Sequence, residues 1–295
     1  MLNLNRPNLD LYKQLLKGTG HENLIEDCAY VFVTRSKTKM NLETLEWKLR
    51  RERGVPIQAI TGDEARELEP DLSPSIQNGV LINGQGRTTN PGRLGKVIAE
   101  KAIAQGVKYF KAEVKRIVPL TNGGYEIVTD NGNKQASKLV LTAGVWSAKL
   151  LKDFGVNVLL EAERGYHLIF KEPDVTLKNS ILDADNKFVS SSMEMGMRSA
   201  GTAEFAGVDA PPNYKRALIF KDHAKSLFPK LNTSSVQEWM GRRPSPPDSV
   251  PYIGEVPGYP GLFYGFGHAH LGLTGAPMTG RMIAGLASNL SLIHI

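Results

Sequence analysis

Residues 138–155, KLVLTAGVWSAKLLKDFG, read as a strand, a sharp glycine turn and a helix. A second such run closes the chain: GLFYGFGHAHLGLT (261–274) gives a strand and loop, and APMTGRMIAGLASNL (276–290) a helix. Strand, glycine turn and helix is the layout in which α/β sheets meet ligands at the carboxyl ends of their strands. Between the two runs lies a strand-rich stretch, with GYHLIF (165–170) and GMRSAGTAEFAG (196–207) as its clearest segments. α/β stretches that enclose a strand-rich insertion predict two interleaved domains, one α/β and one largely antiparallel.

The remaining signals are local. YVFVTRS (30–36) alternates as a strand. Asn41 caps a predicted helix whose apolar stripe is Leu42, Leu45 and Leu49, and Gly54 stops it. TGDE (61–64) matches a capping box, with Thr61 as cap and Glu64 reaching back; its helix runs to Leu68. TTNPGRLGKVIAEKAIAQG (88–106) reads as a helix capped by Asn90, with Pro91 first and Leu94, Val97, Ile98 and Ala102 on one face. VKYFK (107–111), EVKRIV (113–118) and YEIVT (125–129) read as short strands, with NGG and DNGN as turn signals. Residues 210–229 read as mostly helix.

A chain of 295 residues, 41% hydrophobic, suffices for one large or two ordinary domains. There is no apolar run of about 18 residues for a membrane helix, and no basic-then-apolar leader. A lone cysteine, Cys28, excludes an intrachain disulfide framework and fits a reducing compartment. These features predict a cytoplasmic protein. The net charge of +6 is modest, and KLRRERG (48–54) is its densest basic cluster. Without interleaved aromatics this cluster reads as the solvated face of a helix, and no nucleic-acid partner is expected.

No glycine run has the GxGxxG spacing of a dinucleotide-binding turn. NGQGRTTNPG (83–92) lacks the third glycine, and GFGHAHLG (265–272) has His270 in its place. The second loop can still bring backbone N–H groups close to a flat or anionic group, with a helix dipole behind it. A tight structural turn accounts for it equally well. His268 and His270 stand two apart with no Cys, Asp or Glu set to complete a metal site, so no metal is expected. In WMGRRPSPPDSVPYIG (239–254) two arginines precede a rigid proline-rich stretch. Arginine grips a carboxylate through two parallel hydrogen bonds, although a surface ion pair explains these residues better when they are taken alone.

Taken together, LTAGVWSAKLL (141–151), LEAERGYHLIF (160–170), MRSAGTAEFAG (197–207), WMGRRPSPPDSVPYIG (239–254) and YGFGHAHLGLTGAPMTGRMIAGL (264–286) resemble one family. It is the FAD-dependent oxidoreductases of the D-amino-acid oxidase and glycine oxidase superfamily, nearest the D-amino acid dehydrogenase small-subunit type. EARELEPDL (64–72) matches too, and the order is colinear. The resemblance implies an α/β (α+β) fold, with an incomplete Rossmann-like FAD-binding domain interleaved with a mainly antiparallel substrate domain. The boundaries it implies are 75–155 plus 236–290 for the FAD domain and 1–74 plus 156–235 for the substrate domain. By resemblance, Gly267, His268, Gly272, Leu273 and Thr274 lie over the flavin ring. Ala143, Gly144 and Trp146 form a second FAD-proximal turn, and Val114 meets adenine. Arg243 matches the arginine that pairs with the substrate carboxylate; Arg242, Tyr166 and His167 stand behind it as further substrate-site candidates.

The implied activity is oxidation of D-amino acids by hydride transfer from Cα to flavin N5, with the imino acid then hydrolysed to an oxo acid and ammonia. Glycine, sarcosine or hydroxyproline oxidation is the alternative within the family, and no general base is assigned. The implied partners are a D-amino acid or related small amine and an electron acceptor such as a quinone. A peripheral seat on the inner membrane and a partner subunit stay open. The family pattern begins with a strand, a GxGxxG turn and a helix, whereas this chain opens on MLNLNRPNLDLYKQLL, which resembles a helix well inside that pattern. The expectation is a truncated chain that binds FAD weakly or not at all by itself, or a remnant or subunit that needs a complementary chain; SLIHI (291–295) has no place in the pattern. A non-flavin basic binding module is the outlying alternative.

Overall fold

The computed structural model describes residues 1–38 and 40–290; SLIHI lies outside them. The first helices are α1 (Leu2–Asn5) and α2 (Asn8–Leu16), followed by β1 (Ile25–Thr34), α3 (Leu45–Glu52), β2 (Ile57–Thr61), α4 (Gly62–Leu68), β3 (Asn78–Thr88) and α5 (Pro91–Ala104). Then come β4 (Val114–Pro119), β5 (Tyr125–Thr129), β6 (Lys134–Ala136), β7 (Leu139–Leu141) and α6 (Ser147–Leu151). The strand-rich stretch supplies β8 (Glu161–Phe170), β9 (Ser180–Asp183), β10 (Phe188–Met193), β11 (Gly196–Ala200) and β12 (Glu204–Phe205). After α7 (Lys215–Leu227) follow β13 (Val236–Ser245), β14 (Tyr252–Glu255), β15 (Leu262–Phe266) and α8 (Gly272–Ala287).

Nine strands form one large sheet. Its order from one edge is β2, β3, β1, β9, β10, β11, β8, and β8 pairs in addition with β13 and with the short β12. Only the β1–β9 pair is parallel. Side chains alternate between the faces. One face carries Val31, Val33, Tyr166, Leu168, Phe170, Ile181, Phe188 and Met197, which pack under Ala217, Phe220, Ala224 and Leu227 of α7. The opposite face carries Tyr30, Glu163, Gly165, His167, Arg198, Trp239 and Arg243, as the β8–β11 and β8–β13 registers require.

Two smaller sheets complete the molecule. β4, β5 and β6 form an antiparallel meander. β7 runs parallel to β15, which pairs antiparallel with β14, so the order is β14, β15, β7. A second core of Ile117, Tyr125, Leu141, Leu151, Phe154, Leu262 and Phe266 joins the meander, α6 and this third sheet. The mixed α/β architecture with a large antiparallel sheet agrees with the expected fold class. Sheet pairing puts β3 and β13 in the large sheet, although the expected boundaries assign residues 78–88 and 236–245 to the other domain.

Local signals held where one turn of chain decides the structure. The Thr61–Glu64 capping box is closed in both directions. Asn90 caps α5 by accepting from the Arg93 N–H, with Pro91 in the first turn. Two expectations are corrected. Of the stripe Leu42, Leu45 and Leu49, only Leu42, just ahead of α3, packs against the core; Leu45 is 71% exposed and Leu49 is exposed too, and Trp47 is buried instead. Trp47 packs edge-on against Phe32 on the sheet, and a large indole buries more apolar area than two leucines at the helix rim. VKYFK (107–111) is not a strand. Val107, Tyr109 and Phe110 are exposed, and no neighbouring strand takes up their backbone groups.

Candidate active site

The site is built where β13 and β8 meet two glycine turns. The turn after β7 is a 3-10 turn at Gly144–Trp146, and Gly144 takes φ +56°. A second 3-10 turn, Ala269–Leu271, joins β15 to α8. Both turns pack against β13. Gly267 makes the sharp exit from β15 at φ +83°, and a side chain there would meet the Tyr252 ring at 3.1 Å. Glycine is the residue that adopts this conformation without strain.

Arg243 lies on the open face of the sheet. A Cβ added to Gly165 would fall 2.1–2.6 Å from Nη2, Cζ and Nη1 of Arg243, so the guanidinium rests flat on the bare strand at Gly165. Its Nη1 donates to Glu163 Oε1 at 2.9 Å and reaches the Thr202 carbonyl at 3.4 Å. Glu163 is only 7% exposed. Its Oε2 accepts from Ser245 Oγ at 2.9 Å, and its Oε1 also meets His270 Nε2 at 2.6 Å. Glu163, Ser245, Ala269 and His270 line a cavity of about 600 Å³ with Leu159, Leu160 and Phe205.

The other substrate-site candidates divide by strand alternation. His167 shares the face of Arg243 and stacks on Trp239 at 4.7 Å and 15°. Burial, and then the charge of Arg198, push the His167 imidazole down to about 4. Tyr166 and Arg242 point to the opposite face. The Tyr166 hydroxyl donates to Glu204 at 2.5 Å and accepts from the Asn213 N–H at 3.0 Å, with the ring fully buried. Arg242 Nε donates to the Val208 carbonyl at 2.5 Å. These two hold loops behind the sheet.

On the ring-side turn, His268 is buried and its Nε2 lies 2.9 Å from Thr279 Oγ1. That hydroxyl donates its own proton to the Gly275 carbonyl, so it must accept from His268, which fixes the Nε2–H tautomer. Burial holds this imidazole below its ordinary range. α8 starts at Gly272, four residues earlier than expected, and Leu271 offers no side-chain cap. Among the described residues no side chain caps its first-turn N–H groups at Gly272, Leu273 and Thr274. α2 braces this end: Tyr12 donates to the Leu273 carbonyl at 2.6 Å, and Asn8 Oδ1 accepts from the Met278 N–H at 2.8 Å. Leu273 and Thr274 border a second cavity, of about 550 Å³, with Tyr12, Tyr30, Gln85 and Arg87.

Trp146 is half exposed beside β13, and Ala143 precedes it on the same turn. Val114 lies elsewhere, at the start of β4, where it borders a cavity of about 370 Å³ with Phe110, Ile127 and Lys134. Glu163, Ser245 and Gly165 were not singled out from sequence. The available signal was the alternation in EAERGYH, which puts Glu163, Gly165 and His167 on one face. Among the described residues no cluster of His, Cys, Asp and Glu could hold a metal ion, and no helix is long and apolar enough to cross a membrane.

A large antiparallel sheet, joined to a smaller sheet whose parallel strands end in glycine turns, defines the two-part plan of flavin-dependent amine oxidoreductases. The chain belongs to the DAO family of FAD-dependent oxidoreductases, whose family model matches residues 1–286. It is 36% identical over 282 residues to a D-amino-acid oxidase of Bradyrhizobium diazoefficiens, covering 94% of this chain and 67% of the relative. A D-amino acid dehydrogenase of Dechloromonas aromatica is 29% identical, over 92% of this chain and 67% of that protein. The glycine oxidase of Geobacillus kaustophilus superposes with a TM-score of 0.83 at 22% identity, covering 98% of this chain and 78% of that one. The chain thus spans about two thirds of the length of the relatives it matches in sequence.

The residues present fit part of an FAD. An uncapped helix start behind Gly272, with small residues on its inner face, suits the electron-rich edge of a flat ring. No glycine run in the sequence has the spacing that cradles a diphosphate.

Proposed function

We propose that this chain carries the substrate wall and the ring-side wall of an FAD-dependent oxidation of D-amino acids. The observation that supports it most is the placement of Arg243. Its guanidinium lies on the open face of the sheet and is tied through Glu163 to the turn that opens α8. Nε and Nη2 of Arg243 have no partner among the described residues. These groups take the α-carboxylate through two parallel bonds. A carboxylate held this way sets the position of Cα–H, and positioning carries most of the rate. His167 and Trp239 form the adjacent wall.

Gly267, His268, Gly272, Leu273 and Thr274 hold the ring edge, Ala143, Gly144 and Trp146 form the second turn, and Val114 marks the adenine side. When bound, FAD supplies the acceptor for the hydride that leaves Cα. The resulting imino acid is hydrolysed to an oxo acid and ammonia. Arg242 and Tyr166 drop to a supporting role because strand alternation turns them away. The domain division follows the sheets, with β3 and β13 moving to the substrate domain. The reading includes an electron acceptor, a quinone or another oxidant, and a peripheral membrane seat that vesicle co-sedimentation would reveal. The free edge of β7 offers a place for a strand from a complementary segment or subunit.

The test is anaerobic bleaching of the flavin absorbance. The chain is mixed with FAD and challenged with D-amino acids, glycine, sarcosine and hydroxyproline. Bleaching by D-amino acids, lost in Arg243→Met, supports the reading. Bleaching only by glycine or sarcosine moves the substrate to the glycine oxidase class. Bound FAD with no bleaching by any of these overturns the substrate assignment.

A further inference from the structure

The charge count around Glu163 has a consequence for ligand binding. The carboxylate is nearly buried and uses both oxygens: Arg243 and His270 at Oε1, Ser245 at Oε2. Arg243 and Glu163 cancel one another, so this ion pair has no net positive charge to offer an arriving anion. A ligand carboxylate on Nε and Nη2 of Arg243 changes this. One guanidinium then stands between two carboxylates in a partly desolvated site, where like charges repel more strongly than in water.

Another cation on this face of the sheet is Arg198, which stands opposite Ile169 beside His167, six residues along β8 from Glu163, and does not line the Glu163 cavity. On β8, Glu161 is a further carboxylate at the same cavity, and its Oε1 accepts from the Ala162 N–H. Arg164 is on the opposite face and pairs with Glu204, as does Arg216. On β12, the residue opposite Glu163 is Phe205. The turn at Gly144–Trp146 brings no charged side chain, and Asp248 beyond β13 caps the Val250 N–H. Of the residues lining the Glu163 cavity, the one able to gain a positive charge is His270. It touches Glu163 at 2.6 Å, and its side chain is 59% exposed, so a proton can reach it from solvent. Ala269 beside it adopts φ +46°, uncommon for a residue with a side chain, and helps form the turn that carries the ring.

We propose that binding of a carboxylate at Arg243 takes up one proton from solvent onto the Glu163–His270 pair. The inference rests on Arg243 being the carboxylate anchor. The balance is simple: ligand anion plus one proton enter together, and no bond other than N–H to that proton forms. The proton sits on His270 as an imidazolium paired to Glu163. Glu163 and His270 are thus positioning residues that make the site select for an anion with its proton. Affinity for the carboxylate falls as pH rises, by up to about tenfold per pH unit where the free pair is unprotonated.

The experiment is calorimetric titration of propionate into the full chain in FAD-containing buffer at pH 8. It is repeated in phosphate, HEPES and Tris, whose ionisation heats differ, so the slope counts protons. Propionamide is the neutral control. The expected result is uptake of about one proton per propionate and none with propionamide. His270→Asn should abolish the uptake and weaken propionate about tenfold. Glu163→Gln should abolish the uptake and leave the remaining propionate affinity independent of pH, because the competing anion is gone. Propionate binding that needs Arg243 but moves no proton overturns the proposal and leaves the anchor standing. Equal propionate binding by Arg243→Met, or none by any form, overturns the anchor and the proposal with it. Thermal melts of each variant show whether a loss is one of folding.

Discussion

Gly165 carries the guanidinium of Arg243: a methyl group at 165 would sit 2.1 Å from Nη2 and 2.2 Å from Cζ. The strand is bare at that point so that a flat cation can lie on it. Gly165→Ala should therefore push Arg243 off the sheet and break its bond to Glu163. Overpacking of this kind costs about 1–3 kcal/mol of stability. The larger effect should be on carboxylate binding, weakened at least about tenfold as two bonds to the guanidinium lose their geometry. Calorimetry with propionate, beside a urea unfolding curve, measures both. Unchanged binding in a folded Gly165→Ala protein would show that Arg243 is not the anchor.

His167 ties stability to pH. Its imidazole is held down to about 4 by burial and then by Arg198, against about 6.5 in an unfolded chain. Between those values the unfolded chain binds the proton and the native one does not. Stability therefore rises with pH across this window and is lost as pH falls from about 6.5 to about 4. Below that, both states are protonated and His167 contributes no further loss. The full effect is on the order of 3 kcal/mol. Urea unfolding at pH 7.5 and 4.5 should show a steeper loss in the wild type than in His167→Gln. Arg198→Met should raise the His167 pKa, read by NMR, because it removes a neighbouring cation.

These relationships were legible in the sequence to different depths. The Thr61 box and the Asn90–Pro91 start could be read directly, because three or four neighbouring residues decide them. The α3 stripe misled because Trp47 found Phe32 on a strand that is remote in sequence. VKYFK has strand-like residues, but a strand exists only where another pairs with it. The motif GRRP put Arg243 ahead of Arg242 by resemblance, but not by anything in its own spacing. The β8–β13 register sets Arg243 opposite Glu163 and Arg242 opposite Arg164 on the other face. Glu163 was missed for the same reason: its three partners come from β13 and from a turn about a hundred residues later.

Asn8 is a small residue with a large share of the bracing of α8. It is 2% exposed, and its Nδ2 donates to the carbonyls of Leu4 at 2.6 Å and Asn5 at 3.1 Å. Its Oδ1 accepts from the Met278 N–H. Asn8→Ala leaves these groups without their partner, at a cost of about 1–3 kcal/mol. Amide exchange at Met278 should quicken, and FAD affinity should fall with it, since α2 supports the turn at Leu273. Asn8→Asp retains the acceptor and should keep the Met278 amide protected while losing the two donor bonds. Equal exchange at Met278 in all three proteins would show that helix α8 holds this end unaided.

Thr279 sets the hydrogen-bonding state of His268. Its hydroxyl donates to the Gly275 carbonyl and so receives the Nε2 proton of the histidine. Thr279→Val keeps the shape and removes the acceptor, leaving a buried N–H unpaired at about 1–3 kcal/mol. The ring can recover part of this by moving its proton to Nδ1. The 15N shifts of His268 should accordingly report Nε2–H in the wild type and a changed tautomer balance in Thr279→Val. Thr279→Ser keeps the hydroxyl and should restore the wild-type spectrum, although it loses a methyl group. If FAD binding weakens in the valine variant and returns in the serine variant, the tautomer matters to the ring-side wall. If all three bind alike while the 15N shifts differ, His268 braces the turn and does not contact the ring.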